Sequence, residues 1–136
     1  MRPAESLRSL RGFGLVSVLV AVVLLAVGIV ALSSSSAFIV SMQTDAAERS
    51  RASAIAVAYM EQIKTRLPSE ISSESPVRVD ETGEPDENGA FIRSLVVTPE
   101  TDTPDVVRAT VQVRYPSGFG RTRTLELVTV IFTGGS

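Results

Sequence analysis

Three groups of residues in this chain have types and spacing that could do chemistry. Asp80, Glu81, Glu84, Asp86 and Glu87 crowd one short stretch. Carboxylates are hard oxygen ligands for calcium, but that ion needs about six to eight oxygens in fixed geometry, and the EF-hand spacing is absent. The stretch is expected to be a solvated acidic loop with no metal. Arg114, Arg121 and Arg123 flank the turn Pro116-Ser117-Gly118-Phe119-Gly120. Guanidinium groups beside an aromatic could hold nucleic-acid phosphates and stack a base, although charged rims on exposed hairpins are ordinary. Arg11-Gly12-Phe13 is the third group, and there the glycine offers close access to the backbone between a basic segment and an apolar one.

What is missing narrows the field further. The chain has no His and no Cys, so Ser-His and Cys-His pairs, thiolate zinc sites and the commonest general base are all excluded. Lys64 is the only lysine and falls on the charged side of a helix pattern. No nucleophile is spaced against a base. The expectation is a protein that is not an enzyme and takes no cofactor. A formal net charge of -2 gives no whole-chain case for nucleic acid as the main partner.

These groups hang on a chain of uneven composition. Residues 13–32 carry no charge, and Gly14, Ser17 and Gly28 are their only non-apolar members. As a helix this run would span roughly 30 Å, the thickness of a bilayer core. Arg2, Arg8 and Arg11 precede it against a single Glu5, which predicts a cytoplasmic N-terminus and an extracytoplasmic C-terminal domain. A cleavable secretory signal fits poorly, because the apolar run is long and no small-x-small site follows it.

The junction Arg11-Gly12-Phe13-Gly14-Leu15-Val16-Ser17-Val18-Leu19-Val20-Ala21 resembles the processing site of type IV prepilins and type II secretion pseudopilins. The resemblance implies cleavage after Gly12 by a prepilin peptidase and methylation of Phe13 as the new N-terminus. It implies a helix held in the bacterial inner membrane and later packed into a pilus or periplasmic filament. The implied partners are other pilins or pseudopilins, and an inner-membrane assembly platform with its ATPase. The family usually places Glu at the fifth mature position, where this chain has Ser17. A chain without that counter-charge for a neighbouring amine is expected to be a minor subunit, at or near the filament tip. A type II secretion pseudopilin and a signal-anchored periplasmic scaffold or binding protein are the alternatives.

The elements that must position these residues can be read from periodicity. No proline interrupts residues 13–67, and Ala52, Ile55, Ala56, Tyr59, Ile63 and Leu67 recur at helical spacing as one stripe. Pro68 should end the helix. Four serines, Ser33 to Ser36, either bend it or bond back to preceding carbonyls. Asp45 and Arg49 are spaced to pair along it. Residues 69–89 read as a polar linker with one short strand at 76–80. Strands follow at 90–98, 106–115 and 121–133, the middle one alternating cleanly through Val107, Ala109, Val111, Val113 and Tyr115. The expected organisation is a leader over 1–12, a membrane or filament-core half-helix over 13–40, an amphipathic half over 41–68, and a β-domain over 69–136. The fold class is α+β: a long N-terminal helix, with an antiparallel sheet packed on its second half as in pilins.

Overall fold

The structure, a computed structural model, describes residues 5–134, with side chains from Gly14 onward. Residues 1–4 of the expected leader lie outside the described residues, as does the side chain of Phe13. The chain divides into two units, Met1–Ser41 and Met42–Ser136.

One helix, α1 (Glu5–Lys64), runs through the boundary between them. It begins earlier than the expected residue 13, because nothing in the leader from Glu5 onward breaks a helix. It also ends three residues short of Leu67. The restriction before Pro68 puts Leu67 in an extended conformation (ψ 142°). Just before it, the Thr65 and Arg66 amides donate to Gln62 and Ile63, tightening the last turn. Leu67 is therefore exposed and does not belong to the buried stripe.

In the first unit every residue from 14 to 40 is exposed. The four serines do not break the helix. Each hydroxyl donates to the carbonyl four residues back, Ser33 to Ile29, Ser34 to Val30, Ser35 to Ala31 and Ser36 to Leu32. Their polarity is thus absorbed by the helix's own backbone.

The second unit combines the rest of α1 with four strands, β1 (Glu74–Val79), β2 (Phe91–Pro99), β3 (Val106–Ser117) and β4 (Arg121–Phe132). All pairs are antiparallel, in the order β1-β2-β3-β4. The first strand starts two residues before the expected one. Its register shifts between Glu74 and Val77, around Pro76, which has no amide proton for the ladder. In β3 the alternation holds, with Ala109, Val111, Val113 and Tyr115 buried. Pro116 and Ser117 remain paired, to Thr122 and Arg121, so the loop shrinks to Gly118–Gly120.

This sheet covers the α1 stripe. Ala52, Ile55, Ala56, Tyr59, Met60 and Ile63 from the helix meet Val79, Phe91, Leu95 and the inward residues of β3. Fully burying a large apolar side chain of this kind contributes about 1.5–3 kcal/mol before chain entropy is set against it. Ala52 and Ala56 leave room for the sheet to approach the helix backbone. The fold is α+β, a long N-terminal apolar helix with a four-stranded antiparallel sheet packed on its second part.

Candidate functional site

The most unusual surface of the molecule is the first part of α1. Its most apolar window of 18 residues has a mean hydropathy of 3.2 and none of it is buried. The helix is long and apolar enough to cross a membrane. Leucine and valine dominate, so the exposure surrounds the helix and is not confined to one stripe. Ser17 is exposed within this segment. A Cβ placed on Gly14 or Gly28 would meet nothing within 4 Å, so both are open sites on the helix surface.

The basic residues around Phe119 are not brought together as one patch. Arg123 sits opposite Tyr115, on the helix-facing side of the sheet, and Arg121 sits opposite Ser117 on that same side. Arg114 pairs with Thr124 on the other face. Arg123 approaches Asp45 at 3.4 Å, and the Ser117 hydroxyl donates to Asp45 at 2.5 Å. Asp45 is thus tied to the hairpin, with Arg49 acting on it only as a nearby charge. The Ser117 hydrogen bond, together with Arg123, holds the Asp45 carboxyl below its ordinary range. Phe119 stands out at the tip, 87% exposed, with a left-handed backbone (φ 62°).

The acidic residues are occupied with turn geometry. Asp80 accepts from the Thr82 amide (2.8 Å), the Thr82 hydroxyl (2.6 Å) and the Glu84 amide (3.1 Å). Those bonds, that from Thr82 foremost, lower its pKa. Asp86 accepts from the Asn88 amide, and Glu81 pairs with Arg51. Gly89 is required, since a Cβ there would lie 2.1 Å from the Val79 carbonyl oxygen. Among the described residues, no group of three or more carboxylates is placed to hold a metal ion.

One constellation escaped the sequence reading. Tyr59 donates its hydroxyl proton to Glu74, and Arg66 donates to the other oxygen of that carboxylate at 2.5 Å. Arg93 stacks on the Tyr59 ring, 3.7 Å from its centroid, and donates to the Gly83 carbonyl at 2.9 Å. A cavity of about 390 Å³ opens beside them, bordered by Ile55, Gln62 and Glu84. Burial, and then the Glu74 bond, raises the Tyr59 pKa. Burial would raise Glu74 too, but the hydrogen bonds from Tyr59 and Arg66 outweigh it and leave the carboxyl lowered. The cluster joins the end of α1 to β1, β2 and the acidic turn. Tyr59 is visible in the helix pattern, but Arg66 lies beyond the helix end, and the strand partners depend on a register that no local pattern reveals.

In comparisons with known proteins, no family model, curated protein or solved structure matches this chain.

Proposed function

We propose that this chain is a type IV pilin-like subunit, made as a membrane-inserted precursor and working by filament assembly. It is read as a minor component at or near the tip, with no catalytic role. The observation that carries the reading is the wholly exposed apolar helix over residues 14–40, directly behind Arg11-Gly12-Phe13. Such a surface needs lipid or other helices around it. A segment that can exchange one for the other is what the resemblance to prepilins calls for. The sheet-covered part of α1 carries the domain left outside the membrane.

Prepilin peptidase would cut after Gly12 and methylate Phe13. The helix would wait in the inner membrane, N-terminus cytoplasmic, until the assembly platform moved it into a bundle with other pilins. Cleavage leaves an ammonium at Phe13, and burying it unpaired costs several kcal/mol. Ser17 offers a neighbour's amine only a neutral hydrogen bond, weaker than a charge-assisted one. That favours a place where no further subunit stacks above. A type II secretion pseudopilin would share each of these features.

Stoichiometry tests the reading. In filaments purified from the native host, this chain should be scarce against the dominant pilin, and Gly12→Val should abolish its incorporation. Recovery as the main, evenly distributed subunit would overturn the tip assignment. Incorporation of an uncut Gly12→Val chain would overturn the processing step.

A further inference from the structure

The β3–β4 hairpin ends in a feature that core packing does not explain. Phe119 lies between Gly118 and Gly120 and is held at φ 62°, next to Gly120, which is left-handed as well at φ 69°. Among the described residues only Asp105 is another non-glycine with positive φ. A bulky aromatic in that conformation is an outlier, and here the strain aims an apolar ring into solvent.

Where the ring is held matters more. Ser117 and Arg123, on either side of the turn, both bind Asp45. The buried stripe of this unit's helix begins only at Ala52. The hairpin tip therefore sits at the end of the unit where α1 enters. Asp45 follows Val40, the last residue of the exposed apolar stretch, by five residues in sequence. Five residues of chain, even fully extended, span at most about 18 Å, so the hairpin that Asp45 holds stays within reach of the headgroup layer. Asp45 pairs with Arg123, and Glu48 and Glu81 share Arg51, so with Arg49 and Arg121 this end keeps one net positive charge.

We propose that the Gly118-Phe119-Gly120 tip, with Arg121, is an interfacial anchor that docks on anionic phospholipid headgroups. The inference rests on the reading above that the apolar part of α1 spans the membrane. An aromatic ring and a guanidinium at this level match the chemistry of the interface: the ring enters the headgroup–acyl boundary and the cation meets phosphate. Single-stranded nucleic acid would be offered the same ring. It would find no continuous basic groove, because Arg114 lies on the opposite face of the sheet from Arg121 and Arg123.

The chain has no tryptophan, so one indole reports on one place. Full-length Phe119→Trp is reconstituted in phosphatidylcholine–phosphatidylglycerol vesicles containing lipid brominated near the headgroup end of its acyl chains. Glu87→Trp, in the acidic loop, is the reference. The anchor predicts at least about twofold stronger quenching at 119 than at 87, lost when Arg121→Glu is added or phosphatidylglycerol is omitted. A chain that resists alkaline extraction while its indole at 119 is quenched no more than that at 87 overturns the anchor and leaves the membrane span standing. Extraction of the whole chain overturns both. Strong quenching that ignores Arg121→Glu and lipid charge overturns the choice of anionic headgroups. An indole that ignores lipid but responds to a single-stranded oligonucleotide overturns the anchor in favour of nucleic acid.

Discussion

From residue 14 to residue 40 every side chain of α1 is exposed, whereas Ala52, Ile55, Ala56, Tyr59, Met60 and Ile63 of the same helix lie buried under a sheet. Both stretches are apolar and both are helical. They differ in how the apolar residues are arranged: all round the helix in the first, along one stripe in the second, with Arg49, Arg51, Glu61 and Lys64 among the residues on the remaining surface. A stripe can be satisfied by one sheet. A helix apolar on all sides needs a surrounding that is apolar on all sides, either lipid or a bundle of other helices. Secondary structure is thus shared, and the distribution of side chains decides which part is covered within the chain and which is left exposed.

The contrast is broken most forcefully at the centre of the core. Phe91→Ala should destabilise the second unit by about 3–5 kcal/mol, through lost burial and a residual cavity. The matching truncation Leu24→Ala should leave the denaturant midpoint of that unit unchanged, because Leu24 is exposed and belongs to the other unit. Equilibrium denaturation of both variants in detergent checks the pair; equal losses would mean the two stretches are not energetically separate. A charge in the first stretch should do the reverse. Leu24→Lys should cost about 2.5–3.5 kcal/mol in membrane insertion while the second unit's midpoint holds, read from the fraction of chain integrated in membranes.

Titration sharpens the comparison, because residues 14–40 carry no titratable side chain and the second unit carries many. Glu74, Asp45 and Asp80 have lowered pKa values in the folded state, so the unfolded chain binds more protons in acid. Their contribution is complete above the ordinary values of 4.5 for Glu and 3.8 for Asp, and is lost as pH falls through the folded ones. Tyr59 is raised above its ordinary 10.0, so its contribution is present below that pH and lost as pH rises past it. Stability measured against pH should decline at both ends. Glu74→Gln should make the acid limb shallower and Tyr59→Phe the alkaline limb; unchanged limbs would show that the cluster contributes no linkage. The smallest effect belongs to the surface pairs. Arg51→Ala, which breaks exposed contacts to Glu48 and Glu81, should change stability by about 0.5 kcal/mol or less in the same denaturation assay.

The long-range layout was legible because it rests on periodicity. The uncharged run, the stripe through Ile55, Tyr59 and Ile63, and the alternation in β3 each describe a face, and faces must be covered. Boundaries were less legible. Leu67 continues the helical spacing, yet the restriction imposed by Pro68 removes it from the helix. β1 begins before Pro76 because an edge strand accommodates a proline at a register shift. The contacts that hold the unit's polar surface were not legible at all. Asp45 meets Ser117 and Arg123, and Tyr59 meets Glu74 and Arg93, across strand pairings that local spacing does not encode. The three arginines near Phe119 illustrate the same point, since proximity in sequence put them on two faces of one sheet.

The assembly reading stands or falls on what happens at Gly12 and Phe13. Intact-mass analysis of the chain isolated from membranes of a host that carries prepilin peptidase addresses it in one step. The account predicts a species lacking residues 1–12 and heavier by one methyl group at Phe13. A full-length chain, or one cut at any other bond, would contradict it.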